Sequence, residues 1–267
     1  MCLALCHVPQ IGTYRNNKTM KKIKFGKKDH TYWFEGKRVT GVTSSLQMFS
    51  PGQENLDRWA ANRIVKKYTQ EIRKLGLGIK VKDLEKIEKM AKEEAINVRD
   101  NAARHGKRIH KEFSKHAKEA IKGSGYFPAA AKDEDPEVNA LIKFFRKEKF
   151  KMLKSEYIVF DEDRWFAGTL DLYVQYKKKR YVVDLKTGYI GRKAFAQTAA
   201  YAIAIKNEAE PVDGLMVIST KKVKDRRVKR IVEKEDIKVS MNIARDYALF
   251  VACLEAYRNF DLVDLGA

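Results

Sequence analysis

Polar and apolar positions alternate with a period of two near the start of the chain and again after residue 150, and follow helical spacing in between. Between Ile23 and Thr43 the alternation predicts short strands. Thr31-Tyr32-Trp33-Phe34 is aromatic and β-branched, Glu35-Gly36-Lys37 supplies a turn, and Arg38-Val39-Thr40 returns as the second strand of a hairpin. Asn55 is a favoured N-cap type and predicts a helix to about Leu75. Gly76 and Gly78 then punctuate before a further helix, Lys82 to Lys122, whose length leaves open whether it is continuous or broken. Pro136 opens another helix through Phe150, with Val138, Leu141, Ile142 and Phe145 on one face.

Strands are expected near Tyr157–Phe160, Phe166–Val174 and Tyr181–Leu185, followed by a helix from Arg192 to Lys206. Further strands follow near Leu215–Ser219 and Arg227–Val232, and a final helix from about Ile237 to Tyr257. The resulting order, α-β-β-β-α-β, with no internal repeat and no Pro/Ser-rich linker, predicts one α/β domain over residues 20–267. Its part 20–150 is a hairpin and a helical N-terminal extension, and 151–267 is the core. Residues 1–19 lack periodicity and are expected to be dispensable; a chain beginning at Met20 that failed to fold would refute this.

Charge narrows the choice of partner. The 55 Lys+Arg against 35 Asp+Glu give a formal charge of +20, a surplus most readily offset by a polyanion, so nucleic acid is the expected partner. No apolar run approaches the roughly 18 residues of a spanning helix, so no membrane partner is expected. Cys2, Cys6 and Cys253 are too few for a disulfide framework or a thiolate metal site, and a reducing cytoplasm fits them. The run from Lys221 to Arg230 has seven cations to one anion, and Lys221, Lys222, Lys224, Arg226 and Arg227 are its candidate phosphate contacts. Lys177 to Arg180 form a second basic run, and for both a solvated face is the equal alternative.

That second run is also the only turn-like break between two apolar strands. If the turn centres near residues 177 and 178, paired positions sum to about 355, which puts Asp171 opposite Asp184 at roughly 5 Å. The flanking Leu170, Leu172, Val182, Val183 and Leu185 are apolar, so facing carboxylates there require a neutralising cation. A hard divalent metal meets that need. Lys186, two residues after Asp184, projects from the same strand face. On the D-x-K spacing alone, solvated ion pairs are the weightier reading; the apolar surroundings and two further motifs turn the balance.

The first of these motifs lies on the long helical stretch, where Ala95, Val98, Ala102, Gly106, Ile109, Phe113 and Ala117 form a buried stripe with His110 at its border. Gly106, one turn earlier, costs the helix about 1 kcal/mol relative to alanine and so implies close approach of a neighbour. His105 and His116 read as packed or surface residues. The second motif is Gln197 and Tyr201, which share one face of an alanine-rich helix whose thin surface lets another element come near.

In order along the chain, Gly106-Lys107-Arg108-Ile109-His110, Ala167-Gly168-Thr169-Leu170-Asp171, Val183-Asp184-Leu185-Lys186-Thr187-Gly188 and Gln197-Thr198-Ala199-Ala200-Tyr201 resemble the motifs of the PD-(D/E)XK nuclease superfamily, in its RecB-like branch. The stretch with His30-Thr31-Tyr32, Gly36 and Val39-Thr40-Gly41-Val42-Thr43-Ser44 resembles the opening of phage-type exonucleases. The resemblance implies a restriction-endonuclease-like core, a central mixed sheet flanked by helices. It implies His110, Asp171, Asp184 and the Leu185 carbonyl as ligands of Mg²⁺ or Mn²⁺, with Glu156 as an outer or second-metal carboxylate. Lys186 would orient the attacking water, Gln197 and Tyr201 would hold the lysine region and the DNA strand, and Arg108 would assist DNA binding. The activity implied is hydrolysis of DNA ends in recombination, repair or replication, with DNA and a single-strand annealing or recombinase protein as partners. A structure-specific endonuclease and a non-catalytic nucleic-acid-binding module are the alternatives. Two departures from the motifs are Lys107, where the branch often has threonine, and Leu170 in place of the name-giving proline.

Overall fold

A computed structural model of the chain describes residues 23–26, 29–48, 53–75, 80–188, 190–208, 210–220 and 237–263. The N-terminal hairpin forms as its pattern predicts: β1 (Lys24–Gly26), β2 (Thr31–Phe34) and β3 (Lys37–Gly41), with Glu35 and Gly36 both at positive φ in the turn. A short helix α1 (Val42–Ser45) and a 3₁₀ turn (Leu46–Met48) follow, then α2 (Gln53–Leu75) and α3 (Val81–Lys122). Helix α2 therefore begins two residues before Asn55, which lies inside it. The long helix is continuous: α3 runs unbroken for 42 residues, about 63 Å, and α2 packs along it.

Asp135 caps α4 (Pro136–Lys147), its Oδ1 accepting from the amides of Glu137 (2.9 Å) and Val138 (3.4 Å), with Pro136 in the first turn. The helix stops short of the expected Phe150 because Lys149 turns to φ 58°, which swings Phe150 into the core. The remaining elements are β4 (Lys151–Asp161), β5 (Phe166–Tyr176), β6 (Lys179–Lys186), α5 (Arg192–Lys206), β7 (Gly214–Ser219), β8 (Ile237–Ser240) and α6 (Ile243–Val263). The strand expected over Arg227–Val232 lies outside the described residues. The helix expected from Ile237 is corrected: Ile237 to Ser240 is a strand paired antiparallel with β7. Its β-branched Ile237 and Val239 suit an edge ladder, and the following helix starts only where Asn242 Oδ1 accepts from the Arg245 amide at 3.0 Å.

The sheet is mixed, in the order β1-β2-β3-β5-β6-β7-β8, with β4 on the other edge of β5. Strand β3 pairs parallel with β5, so the N-terminal hairpin belongs to the central sheet and is not an extension beside it. Two layers of helix cover the sheet. Ile109, Phe113 and Ala117 of α3 and Leu141 and Phe145 of α4 pack on one face against Leu172, Val174, Val183 and Leu185. The alanines of α5, Phe250 and Leu254 of α6, and Val42 of α1 pack on the other against Leu170, Tyr173, Val182 and Leu215. The chain is thus an α/β protein whose mixed sheet is flanked by helices.

Strand β4 occupies one edge of β5 along its length, so β3 and β6 must share the other. Strand β3 takes Phe166 and Ala167, β6 takes Leu172 onward, and the sheet forks between them.

Candidate metal centre

Asp171 stands at this fork. The β5–β6 ladder pairs Leu172 with Val183 and Tyr173 with Val182, the register expected from the turn, and one step further puts Asp171 beside Asp184. The turn itself places Lys177 and Lys178 at φ 48° and 66°, the left-handed pair that a two-residue hairpin requires. On the other side β4 pairs Ser155 with Leu172 and Tyr157 with Leu170, so Glu156 lies across from Asp171. Three neighbouring strands therefore bring Glu156, Asp171 and Asp184 into one row.

The regular alternation of the strand breaks at this row. Leu170 packs under α5 and α6, whereas Leu172, two residues on, packs under α3 and α4, so the strand changes phase at Asp171. Opposite it, Glu156 holds φ 48°, a left-handed conformation that costs a non-glycine residue about 1 kcal/mol or more. Regular strands would send consecutive residues to opposite faces. The phase change lets the row communicate with helices on both sides.

From α3, His110 brings Nδ1 to 3.5 Å from Asp171 Oδ1. One ligand atom each from His110, Glu156 and Asp171 lie within 4.8 Å of one another. From the opposite face, Lys186 Nζ donates to Asp184 Oδ1 at 2.7 Å and to Gln197 Oε1 at 3.3 Å, and Gln197 Nε2 donates to Tyr201 Oη at 3.1 Å. Tyr201 is buried against Gly168, where an added Cβ would come within 2.3 Å of the ring. The close approach inferred at Gly106 is made by the Thr187 hydroxyl, 3.2 Å from where a Cβ would sit. The Leu185 amide donates to Asp171 Oδ2 at 2.8 Å, which fixes Leu185 beside the cluster.

Charge and burial compete at each group. Burial pushes the Asp184 carboxyl up to about 6, against the pull of Lys186 and with a further push from Asp171; its side chain is 2% exposed. Burial would also lower His110, but the Asp171 carboxylate outweighs it and raises the imidazole to about 9. Asp171 itself is held below its ordinary value because His110 overcomes the burial that acts to raise it. Burial, then the Asp171 charge, raise Glu156. Burial acts to lower Lys186, and Asp184 more than reverses it, so the ammonium stays charged.

The donor set fits a hard divalent cation. The three carboxylates are the hard oxygen ligands that Mg²⁺ and Mn²⁺ take, and one imidazole nitrogen joins them. Ligand atoms on a shell of 2.0–2.1 Å stand about 3 Å apart when adjacent and at most about 4.2 Å apart when opposed, so the His110, Glu156 and Asp171 atoms, within 4.8 Å of one another, would draw inward around an ion. Asp184 Oδ2 is buried with no hydrogen-bond partner among the described residues, an orphaned acceptor that a cation would satisfy.

Among the expected site residues, His110, Glu156, Asp171, Asp184, Lys186, Gln197 and Tyr201 come together. Tyr201 is 3% exposed, so it bears on the lysine through Gln197. Arg108 lies apart, its guanidinium engaged by Asp135 and by His105 Nδ1 at 3.2 Å. His105 and His116, read as packed residues, pair with Glu137 at 3.1 Å and Asp133 at 2.7 Å and tie α3 to the start of α4. Lys221, Lys222, Lys224, Arg226 and Arg227 lie outside the described residues. One neighbour has no role in the sequence reading. The Tyr32 hydroxyl, from β2, hydrogen-bonds Thr169 Oγ1 at 3.0 Å, two residues before Asp171. Only the parallel β3–β5 pairing, invisible in the pattern of either strand, brings it there. No family model matches the chain, and no curated protein matches it either.

Proposed function

We propose that the chain is a metal-dependent DNA nuclease with a restriction-endonuclease-like core, hydrolysing phosphodiesters at DNA ends. One observation carries the reading: a row of three carboxylates on adjacent strands, one of whose buried oxygens has no partner among the described residues, faces a lysine that is itself held by two acceptors. Solvated ion pairs need no such arrangement. The +20 charge favours a polyanionic substrate. The ordered motifs favour DNA and, by resemblance, an exonuclease working with a single-strand annealing or recombinase partner.

Mg²⁺ or Mn²⁺ held by Asp171, Asp184, Glu156 and His110 would supply Lewis acidity at a phosphate oxygen and make nearby water easier to deprotonate. The protein's own residues do the rest. Lys186, kept charged by Asp184, has one N–H left over from its two hydrogen bonds to direct at the phosphoryl oxygen on which charge develops. Gln197, pinned by Tyr201, keeps the ammonium from collapsing wholly onto Asp184. In the net reaction water oxygen bonds to phosphorus, the bond from phosphorus to the leaving sugar oxygen breaks, and that oxygen ends with a proton from the water.

The test is cleavage of 5′- and 3′-labelled linear duplex, single strands and closed circles with Mg²⁺ or Mn²⁺. Cleavage of linear but not circular DNA is expected, with losses of about a hundredfold or more in Asp184→Ala and Lys186→Ala. Undiminished activity in Asp184→Ala would end the proposal.

A further inference from the structure

We propose that the outer face of the C-terminal half of α3 is a track for one strand of phosphodiester backbone, gripped by Lys107, Lys111 and Lys118. The nuclease reading supplies the reason for a strand to lie there, and strand binding is measured separately from cleavage. Charge along α3 is uneven. From Lys82 to Asp100 five cations face six anions, whereas from Arg104 to Lys122 seven cations face only Glu112 and Glu119.

Four of the seven are engaged: Arg104 by Asn101, Arg108 by Asp135, Lys115 by Glu112 and Lys122 by Glu119. Lys107, Lys111 and Lys118 are exposed, and among the described residues none of them has an ion-pair partner. Steps of four and seven residues keep all three within about 40° on the helix surface, over a length of about 16 Å. An extended single strand presents several phosphates over that length.

The track leads to the metal centre. His110 flanks it, one turn from Lys107, and Lys118 is near enough to Glu156 to stabilise that carboxylate's charge. Three like charges aligned on one exposed face repel one another, and a repeating anion relieves this best. An anionic bilayer fits less well, because a helix at that surface buries an apolar face in the lipid, and the apolar face here, Ile109, Phe113 and Ala117, is already in the core.

The experiment is fluorescence anisotropy of a labelled DNA single strand in EDTA, across a series of salt concentrations, with the full chain. Replacing Lys107, Lys111 and Lys118 together by glutamine should weaken binding at least tenfold at low salt and flatten the slope of log affinity against log salt by about 2. Replacing Lys82, Lys86 and Lys89 instead removes the same charge from the other half of the helix and should leave the slope unchanged. Equal effects of the two triple variants, or an unaltered slope in the first, would overturn the track. So would loss of binding to phosphatidylserine vesicles in the first variant with strand binding kept. If the track variant loses the strand while the wild type cuts no DNA, the track stands and the nuclease reading fails alone. Cleavage by the wild type with unchanged strand binding in the variant gives the converse.

Discussion

Metal binding at this site should expel about one proton at neutral pH, and that proton should come from His110. The imidazole, raised to about 9 by Asp171, is about 99% protonated at pH 7, yet only its neutral form can ligate. Stripping it costs about two pH units, roughly 2.7 kcal/mol of apparent affinity. Asp184, at about 6, is only about one-tenth protonated at pH 7 and adds about 0.1 proton. Mn²⁺ affinity of the wild type should therefore rise nearly tenfold per pH unit from 7 to 9. Titration calorimetry in two buffers of different ionisation heat reads the protons directly: about one for the wild type at pH 7, and near zero for His110→Asn, whose affinity should be flat over that window. No proton released by the wild type, or the same number from His110→Asn, would refute the reasoning.

The metal-free protein should show the opposite trend with pH. His110 has a folded pKa raised above its ordinary 6.5, so its stabilising contribution is present below about pH 6.5 and is lost as pH rises through about 9. Melting temperature should fall over that window in the wild type and not in His110→Asn. Gly168→Ala drives a Cβ into the buried Tyr201 ring and should cost about 1–3 kcal/mol or more in denaturant melts, with loss of activity through Gln197 and Lys186. Gly106→Ala meets only the Thr187 hydroxyl at 3.2 Å and gains helix propensity of about 1 kcal/mol, so its melt should stay within about 1 kcal/mol of the wild type. Glu156→Asn introduces a residue type that better tolerates φ 48° and removes a half-buried charge: it should raise the metal-free melting temperature while weakening Mn²⁺ binding in calorimetry.

Period and turn chemistry are local, and what they specify was legible. The β5–β6 register followed from the two-residue turn at Lys177 and Lys178, and Arg192–Lys206 was bounded to the residue, because a hairpin or a helix is set by neighbours in sequence. Asp184 and Lys186 sharing a face, and Gln197 and Tyr201 sharing another, follow from periods of 2 and 3.6. Ile237–Ser240 was misread because a short edge strand and a helix start differ only in the partner, here β7.

What joins distant segments was decided by the tertiary structure. The parallel β3–β5 pairing depends on a crossover of more than 120 residues and leaves no mark in either strand, yet it opens the fork and delivers Tyr32. The phase change at Glu156 and Asp171 breaks the very period from which strands are read, so no alternation rule could foresee it. The sequence by itself named the chemistry-bearing groups; packing from both sides of a forked sheet decided that Glu156 joins His110 and Asp171, while Lys186 holds one oxygen of Asp184 and leaves the other without a partner among the described residues.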